Sequence, residues 1–120
     1  MKKIINTISE QIIFQDHTGG YREYRIPGIL KVQDGLLLTC EARAEESGDW
    51  GDIDVMVLRL EGEKEPMEVL KVGESALPKD GTMRTYNNPV LVPDGEKVHL
   101  IYHRNYERAF IVTSPDGGRS

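Results

Sequence analysis

The 120-residue sequence is long enough for one domain with a real core, and its composition, 38% hydrophobic and 29% charged, is that of a globular protein. Its 15 basic and 20 acidic residues give a formal net charge of −5, which argues against nucleic acid as a partner because phosphates demand basic patches. The same charge gives no reason to expect binding to an anionic membrane surface.

The N-terminus opens like a signal peptide, with two lysines and two isoleucines in residues 2–5. Polar residues between Asn6 and Gln11 interrupt the apolar stretch before it reaches the roughly 7–15 residues that an export signal needs. No later stretch reaches transmembrane length. We therefore expect a cytoplasmic protein without membrane insertion, and we leave open whether an export signal lies upstream of Met1.

Seven short β-strands separated by turns are predicted. In chain order, apolar or alternating runs place them at 26–32, 36–41, 53–60, 68–72, 89–92, 98–102 and 109–113. Asp34-Gly35 and Asp94-Gly95 each lie between two such runs, a strong hairpin signal because the turn requires a positive φ that glycine adopts at no steric cost. No segment shows sustained helical periodicity, so the sequence predicts an all-β protein.

The residue patterns of the second and third strands also predict which side chains are buried. The only cysteine, Cys40, lies in the apolar run of the second strand, where we expect a buried, inert thiol without a disulfide partner. The third strand alternates, which places Ile53, Val55 and Val57 on one face and Asp54, Met56 and Leu58 on the other. Residues 12–14 are apolar and are expected to form a further outer strand that lacks a partner in this chain.

The strands repeat at a spacing of about 60 residues. The corresponding positions are Pro27, Asp34-Gly35 and Arg43 in the first unit and Pro89, Asp94-Gly95 and Arg104 in the second. Each unit fits a blade of about four strands in a β-propeller, and the second unit lacks its fourth strand. A plain antiparallel β-sandwich is the alternative on this pattern alone.

Two polar positions carry candidate chemistry. Arg25 lies at the entry of the first strand, and its planar guanidinium suits bidentate capture of a carboxylate; a surface arginine at a strand end is the alternative. Asp49 lies in a Gly-rich loop beside Trp50, where desolvation by the indole would favour the protonated carboxyl of a general acid; a solvated turn aspartate is the alternative. A metal site of Asp49, Asp52 and Asp54 is a further reading, but the spacing does not match the twelve-residue calcium loop.

Four motifs, in order and spanning nearly the whole chain, resemble those of the sialidases. Tyr24-Arg25-Ile26-Pro27 resembles the Arg-Ile-Pro motif that opens their catalytic domain, and Glu41-Ala42-Arg43 precedes the Gly-rich loop and Asp52-Ile53-Asp54-Val55. Asn87-Asn88-Pro89 is similar to the start of the family's second blade, and Ser114-x-Asp116-x-Gly118 resembles the front of an Asp-box. The resemblance implies a six-bladed β-propeller of which this chain holds the first two blades, about residues 24–75 and 85–120, with the remaining blades absent.

The resemblance implies a role for each matching residue. Arg25 would be the first of three arginines that bind the substrate carboxylate, and Asp49 would be the acid/base catalyst, with Asp52 as the fallback. Arg43 would lie near both the substrate carboxylate and the acid/base aspartate. Weaker matches place Arg84, Tyr86 and Asn88 in the pocket near the N-acyl or glycerol arm of the sugar.

Other residues are assigned to the fold or to later blades. Ser114, Asp116 and Gly118 would form a structural turn away from the site, and neither a metal nor a cofactor is implied. The relatives' nucleophilic tyrosine, its glutamate partner and two further arginines come from later blades. None of the five tyrosines here lies at the nucleophile's family position.

The implied reaction is the release of terminal sialic acid from glycoconjugates with retention of configuration. The isolated chain is expected to be inactive, and to fold poorly or self-associate because two blades leave exposed sheet edges. Two alternatives remain open: an Asp-box propeller that binds glycans without cleaving them, and a propeller glycosidase that acts on another sugar.

Overall fold

A computed structural model describes residues 10–44, 48–73 and 84–120. Within these ranges the chain forms no helix, and so none that could cross a membrane. The strands are β1 (Glu23–Val32), β2 (Gly35–Arg43), β3 (Ile53–Leu60), β4 (Met67–Val72), β5 (Tyr86–Asp94), β6 (Lys97–Arg104) and β7 (Arg108–Ser114). All seven predicted strands are confirmed, and all except β3 extend beyond their predicted ends by one to three residues.

The strands form two antiparallel sheets in chain order. The first sheet has the order β1-β2-β3-β4, and the second has β5-β6-β7. Every neighbouring pair within a sheet is also consecutive in the sequence, so each sheet is a simple meander. A parallel β-bridge between Ile53 and Thr85 joins the start of β3 to the residue before β5.

The main core lies between the two sheets. It consists of Leu37, Val55 and Val57 from the first sheet and Tyr86, Val98, Leu100 and Tyr102 from the second. Each of these residues is at most 9% exposed. The alternation predicted for β3 is confirmed, because Val55 and Val57 face this core while Met56 and Leu58 belong to another cluster.

A second cluster covers the opposite face of the first sheet. Cys40, Ala42, Met56 and Leu58 pack there with Tyr21, and Ile13 and Phe14 add partial cover. Cys40 is 1% exposed, and burial raises its pKa to about 12, so the thiol stays protonated and inert as predicted. Residues 12–14 adopt no strand, because Ile13 and Phe14 pack their side chains on this cluster without pairing to a sheet edge.

Both sheets contain the same irregularity in their first strand. The register shifts between Arg25 and Gly28 in the β1–β2 pair and between Asn87 and Val90 in the β5–β6 pair. In each, the residue before proline has a positive φ, 56° at Ile26 and 51° at Asn88. A positive φ is costly for a β-branched residue such as Ile26, so the surrounding sheet must hold this conformation.

This irregularity defines the true correspondence between the units. Arg25 pairs with Glu41, and Asn87 pairs with His103, 62 positions further along the chain. At that offset Arg43 corresponds to Asn105. The predicted correspondence of Arg43 with Arg104 is therefore wrong by one residue, because Arg104 pairs with the core residue Tyr86.

The two predicted hairpin turns both form, but glycine has different roles in them. Gly95 has a φ of 60°, as predicted. In the first hairpin Asp34 takes the positive φ of 64°, and Gly35 begins β2. A Cβ at position 35 would lie 2.6 Å from the Leu60 carbonyl oxygen, so glycine is needed there for close backbone approach.

Candidate functional site

Four charged side chains meet at one end of the first sheet. Antiparallel pairing places the start of β1 beside the end of β2, with Glu23 opposite Arg43 and Arg25 opposite Glu41. Cross-strand partners and residues two apart share a face of the sheet, so all four side chains project from the same face. Together with Asp49, which follows β2, they are called the charged cluster below.

Arg43 is the centre of the charged cluster. Its side chain is 2% exposed, and its Nη2 donates to Glu41 Oε1 at 2.9 Å and to Asp49 Oδ1 at 3.1 Å. Its Nη1 lies 3.5 Å from Glu23 Oε1. Burial acts to lower the pKa of Arg43, but the hydrogen bonds and charges of Glu41 and Asp49 outweigh it and raise the pKa. The guanidinium therefore stays charged inside the protein, although its Nη1 has no hydrogen-bond partner among the described residues.

Arg25 lies at the open side of the same cluster. Its side chain is 55% exposed, and its Nη1 is 4.0 Å from Glu23 Oε1. Contacts therefore run without a gap from Arg25 through Glu23 and Arg43 to Asp49. The three charged residues predicted for the site are thus brought together, and Arg25 is the arginine whose donors face solvent.

Asp49 is held by Arg43 and not by the neighbouring indole. Its side chain is 75% exposed, so the expected burial of the carboxyl beside Trp50 is not observed. The Trp50 ring instead packs on Tyr106, with ring centroids 4.4 Å apart. The carboxyl is consequently oriented by a buried cation while remaining accessible to a ligand.

The second sheet anchors the loop that carries Asp49. The buried Thr85 hydroxyl donates to the Gly51 carbonyl at 2.6 Å and accepts from the Gly51 N–H at 3.2 Å. The Tyr106 hydroxyl donates to the Asp49 carbonyl at 2.6 Å. Thr85 is itself fixed by Asn105, whose Oδ1 accepts from the Thr85 N–H at 2.9 Å and whose N–H donates to the Thr85 carbonyl at 2.7 Å. The position of Asp49 therefore depends on both sheets.

Sequence reasoning missed these anchoring residues. Thr85 carries no motif, and its role arises only from its contact with a loop 34 residues earlier. Asn105 and Tyr106 lie in the β6–β7 turn with φ values of 51° and 58°. Asparagine in a short turn indicates such a conformation, but nothing local indicates which loop the turn will touch. Glu23 was missed for the same reason, since its partners Arg25 and Arg43 come from two strands.

The three weaker predictions in the second unit have different environments. The Asn88 N–H donates to Glu41 Oε2 at 3.0 Å, which joins this residue to the charged cluster. The Arg84 carbonyl accepts from the Ile53 N–H at 3.2 Å, at the end of the Asp49 loop. Tyr86 is 9% exposed, and its ring packs in the main core 6.1 Å from that of Tyr102. The structure therefore brings Asn88 to the charged cluster and places the Tyr86 ring in the core.

The alternative of a metal site on three aspartates has no geometric support. Asp54 is 2% exposed on the opposite face of the first sheet, where its Oδ2 accepts from the Tyr21 hydroxyl at 2.5 Å. Asp49 points to the charged cluster. In the part of the chain that the structure describes, no three His, Cys, Asp or Glu side chains are grouped so that they could hold a metal ion.

The residues that resemble an Asp-box form a tight turn after β7. The Ser114 hydroxyl donates to Asp116 Oδ1 at 2.8 Å and accepts from the Gly118 N–H at 2.8 Å. Asp116 also accepts from the Ser120 hydroxyl at 2.6 Å. The hydrogen bonds from Ser120 and Ser114 lower the pKa of Asp116 to about 2.

This turn lies at the end of the sheets opposite to the charged cluster. Ser114 pairs with Val98 beside the β5–β6 hairpin, whereas Arg43 and Asp49 lie at the other ends of the strands. The buried Arg59 guanidinium donates to the carbonyls of Gly117 and Gln33, at 2.7 and 2.9 Å, and so joins the turn to the first sheet. Ser114, Asp116 and Gly118 therefore stabilise this turn and its contact with the first sheet.

Two clefts show how far the site is enclosed. A cleft of about 590 Å³ lies at the Asp-box end and contains none of the predicted catalytic or substrate-binding residues. A second, of about 210 Å³, is lined by Phe14, Tyr24, Arg25, Pro27 and Cys40, and so includes Arg25 without Asp49. Arg25 and Asp49 therefore do not share either cleft.

Comparisons with protein-family models, with curated proteins and with solved structures gave no match.

Proposed function

We propose that this chain is the first part of a sialidase-type glycoside hydrolase that releases terminal sialic acid from glycoconjugates with retention of configuration. The observation that carries the proposal is the unbroken set of contacts from Arg25 through Glu23 and Arg43 to Asp49. It connects the group proposed to bind the substrate carboxylate with the group proposed to transfer the proton. Four ordered sequence motifs converge with this geometry.

Arg25 binds the substrate in this proposal. Its half-exposed guanidinium offers two parallel N–H donors to a carboxylate, the geometry in which arginine binds such a group most strongly. Arg43 stays charged beneath the surface, where its pairs with Glu23, Glu41 and Asp49 hold the cluster together without competing for the ligand. Asn88 lies next to the same cluster through Glu41, at the place proposed for the arms of the sugar.

Asp49 performs the proton transfer. Its carboxyl is accessible and is oriented by Arg43 at 3.1 Å. In the proposed reaction it protonates the oxygen of the leaving sugar and then activates the water that completes hydrolysis. The nucleophile is a tyrosine from a later blade. A neutral tyrosine avoids the repulsion that a carboxylate would meet from the substrate's own carboxylate, and a partner glutamate takes its proton.

The proposed architecture is a six-bladed propeller whose first two blades are the two sheets. The face of the first sheet that bears Leu37 packs on the second sheet. The corresponding face of the second sheet bears Val90 and Ile111, which are 52% and 61% exposed. Near them, buried side-chain atoms of Asn87 and His103 have no hydrogen-bond partner among the described residues. The outer face of a two-sheet sandwich is polar, so this apolar face favours stacking of a third sheet.

Two matched variants in a protein that includes the later blades test the catalytic assignment. Asp49→Asn should lower the rate of hydrolysis of a fluorogenic sialoside by about 10²-fold or more, the contribution typical of a general acid. Asp52→Asn is the control and should retain most of the activity. If only Asp52→Asn loses activity, the acid is Asp52; if neither variant does, the catalytic assignment is wrong.

A glycan-binding propeller without catalysis is the second candidate. It is favoured by the 75% exposure of Asp49, because a solvated carboxyl accepts hydrogen bonds from sugar hydroxyls without acting as an acid. The discriminating observation is the rest of the open reading frame. Two further arginines and a Tyr/Glu pair in later blades support the hydrolase, and their absence supports the binding protein.

A further inference from the structure

We propose that Trp50 and Tyr106 form a stacking platform for the pyranose ring of the leaving sugar, beside the proposed acid. Both residues are partly exposed although they pack on each other, at 46% for Trp50 and 42% for Tyr106. Tryptophan and tyrosine are enriched at binding surfaces because each combines a large apolar ring with a polar group. This inference rests on the proposed function for the identity of the sugar, but its test does not.

The exposed surface of the platform is apolar ring surface. The Tyr106 hydroxyl is occupied, since it donates to the Asp49 carbonyl at 2.6 Å. The planes of the two rings are inclined by 52°. One face of a pyranose presents C–H groups that pack on aromatic carbon, while its hydroxyls remain available to polar neighbours. The carboxyl of Asp49 and the donors of the charged cluster supply such neighbours.

The position of the platform indicates that its ligand is the leaving sugar. Contacts run from Arg25 through Glu23 and Arg43 to Asp49, and Trp50 is the next residue along the chain. In the proposed reaction Arg25 binds the terminal sialic acid. Asp49 protonates the oxygen that joins the sialic acid to the next sugar of the glycan, which is the leaving sugar. The leaving sugar therefore lies beyond Asp49, where Trp50 and Tyr106 are exposed. The hydrogen bond of Tyr106 and its contact with Trp50 hold the two rings together before binding, which lowers the entropy lost when a ligand is bound.

Trp50 is the only tryptophan of the chain, so its fluorescence reports the platform directly. Lactose serves as a neutral disaccharide probe, and free N-acetylneuraminic acid serves as a probe for Arg25. We expect lactose to change Trp50 emission with saturation. Tyr106→Ala should weaken lactose binding about tenfold, whereas Tyr106→Phe, which keeps the ring, should stay within about twofold of the original affinity.

A second measurement separates loss of the platform from loss of the fold. In saturation-transfer NMR the lactose signal should disappear with Trp50→Ala and persist with Trp50→Phe. Absence of saturable lactose binding, or binding unaffected by Tyr106→Ala and Trp50→Ala, would overturn the platform.

The two proposals fail separately. If lactose binds and N-acetylneuraminic acid does not bind to a protein that includes the later blades, the platform stands and the sialidase proposal fails. If N-acetylneuraminic acid binds in a manner that Arg25→Ala abolishes while lactose does not bind, the sialidase proposal stands and the platform fails. Arg25→Ala should leave lactose binding unchanged, because Arg25 lies at the other end of the contact path.

Discussion

Arg25 and Arg43 project from the same face of neighbouring strands but have opposite environments. The Arg43 side chain is 2% exposed and forms ion pairs with three carboxylates. The Arg25 side chain is 55% exposed, and its ion pair with Glu23 is longer, at 4.0 Å. A buried ion pair is costly to break on one side because the remaining charge loses its partner, and an exposed pair contributes little. Arg25 is therefore exposed at the edge of the charged cluster, and Arg43 is buried within it.

Substitution of the two arginines should separate these roles. Arg43→Ala leaves Glu41 buried without its cation, and we expect the free energy of unfolding to fall by about 3 kcal/mol. Arg25→Ala should change it by less than about 1 kcal/mol. Urea denaturation followed by circular dichroism measures both. Equal costs for the two variants would contradict the assignment of Arg43 as the internal arginine.

Asp116 should make the stability of the Asp-box turn depend on acid pH. Its pKa in the folded protein is lowered from 3.8 to about 2, so the folded state binds a proton less readily than the unfolded state. The stabilisation is therefore present above pH 3.8 and lost as the pH falls through about 2. Asp116→Asn should melt at a lower temperature than the original protein at pH 7. This difference in melting temperature should shrink towards pH 2, and a difference that stayed constant with pH would refute the linkage.

At the scale of elements, the loops of each sheet depend on the other sheet. The loop carrying Asp49 is anchored by Thr85 and Tyr106 from the second sheet, and the Asp-box turn of the second sheet is anchored by Arg59 from the first. Gly118 lies in this second contact with a φ of 85°, and a Cβ there would lie 2.5 Å from a methyl carbon of Leu37. The turn thus closes directly over the main core.

Two glycines with similar backbone angles allow this contact to be measured. Gly118→Ala meets both a positive φ and the buried Leu37, so we expect it to lower the free energy of unfolding by about 2–4 kcal/mol. Gly20→Ala has the same φ of 85° but nothing within 4 Å, and it should cost about 1–2 kcal/mol. Thermal and urea unfolding compare the two variants. An equal cost would show that the contact with Leu37 contributes nothing.

At the scale of the whole molecule, the outer faces of both sheets expose apolar side chains. Tyr21 and Phe14 cover part of the outer face of the first sheet and leave Ile29 exposed on its edge strand β1, and the outer face of the second sheet exposes both Val90 and Ile111. β1, β4, β5 and β7 are edge strands in these two sheets, and unpaired edges invite pairing between molecules. The isolated chain is therefore expected to associate through the second sheet.

A single lysine should reduce this association. Ile111→Lys places a charge on the apolar face and on the edge strand β7, so we expect a shift from oligomer to monomer in sedimentation velocity. Ile12→Lys is the matched control, because Ile12 is 75% exposed outside any strand, and it should leave the oligomer unchanged. Equal association in all three proteins would contradict an interface on the second sheet.

Local physical chemistry is sufficient to predict much of this protein. The period of two along β3 predicts which of its side chains reach the main core, and the Asp-Gly pairs predict both hairpins. The apolar surroundings of Cys40 in the sequence predict its burial. These properties depend on side-chain direction and turn conformation within a few residues, so a sequence read alone determines them.

Tertiary packing decided the rest. The loop that carries Asp49 is positioned by contacts between residues 34 to 57 positions apart in the sequence. These are the contacts of Thr85 with Gly51 and of Tyr106 with Trp50 and with Asp49, whose carboxyl remains exposed. The same is true of the correspondence between Arg43 and Asn105, which follows from a register shift in each sheet. The strands, the hairpins and three of the five residues of the charged cluster, Arg25, Arg43 and Asp49, could be predicted from the sequence alone. Only the tertiary structure decided which of those residues are buried, exposed or joined, because such contacts depend on how one sheet stacks on another.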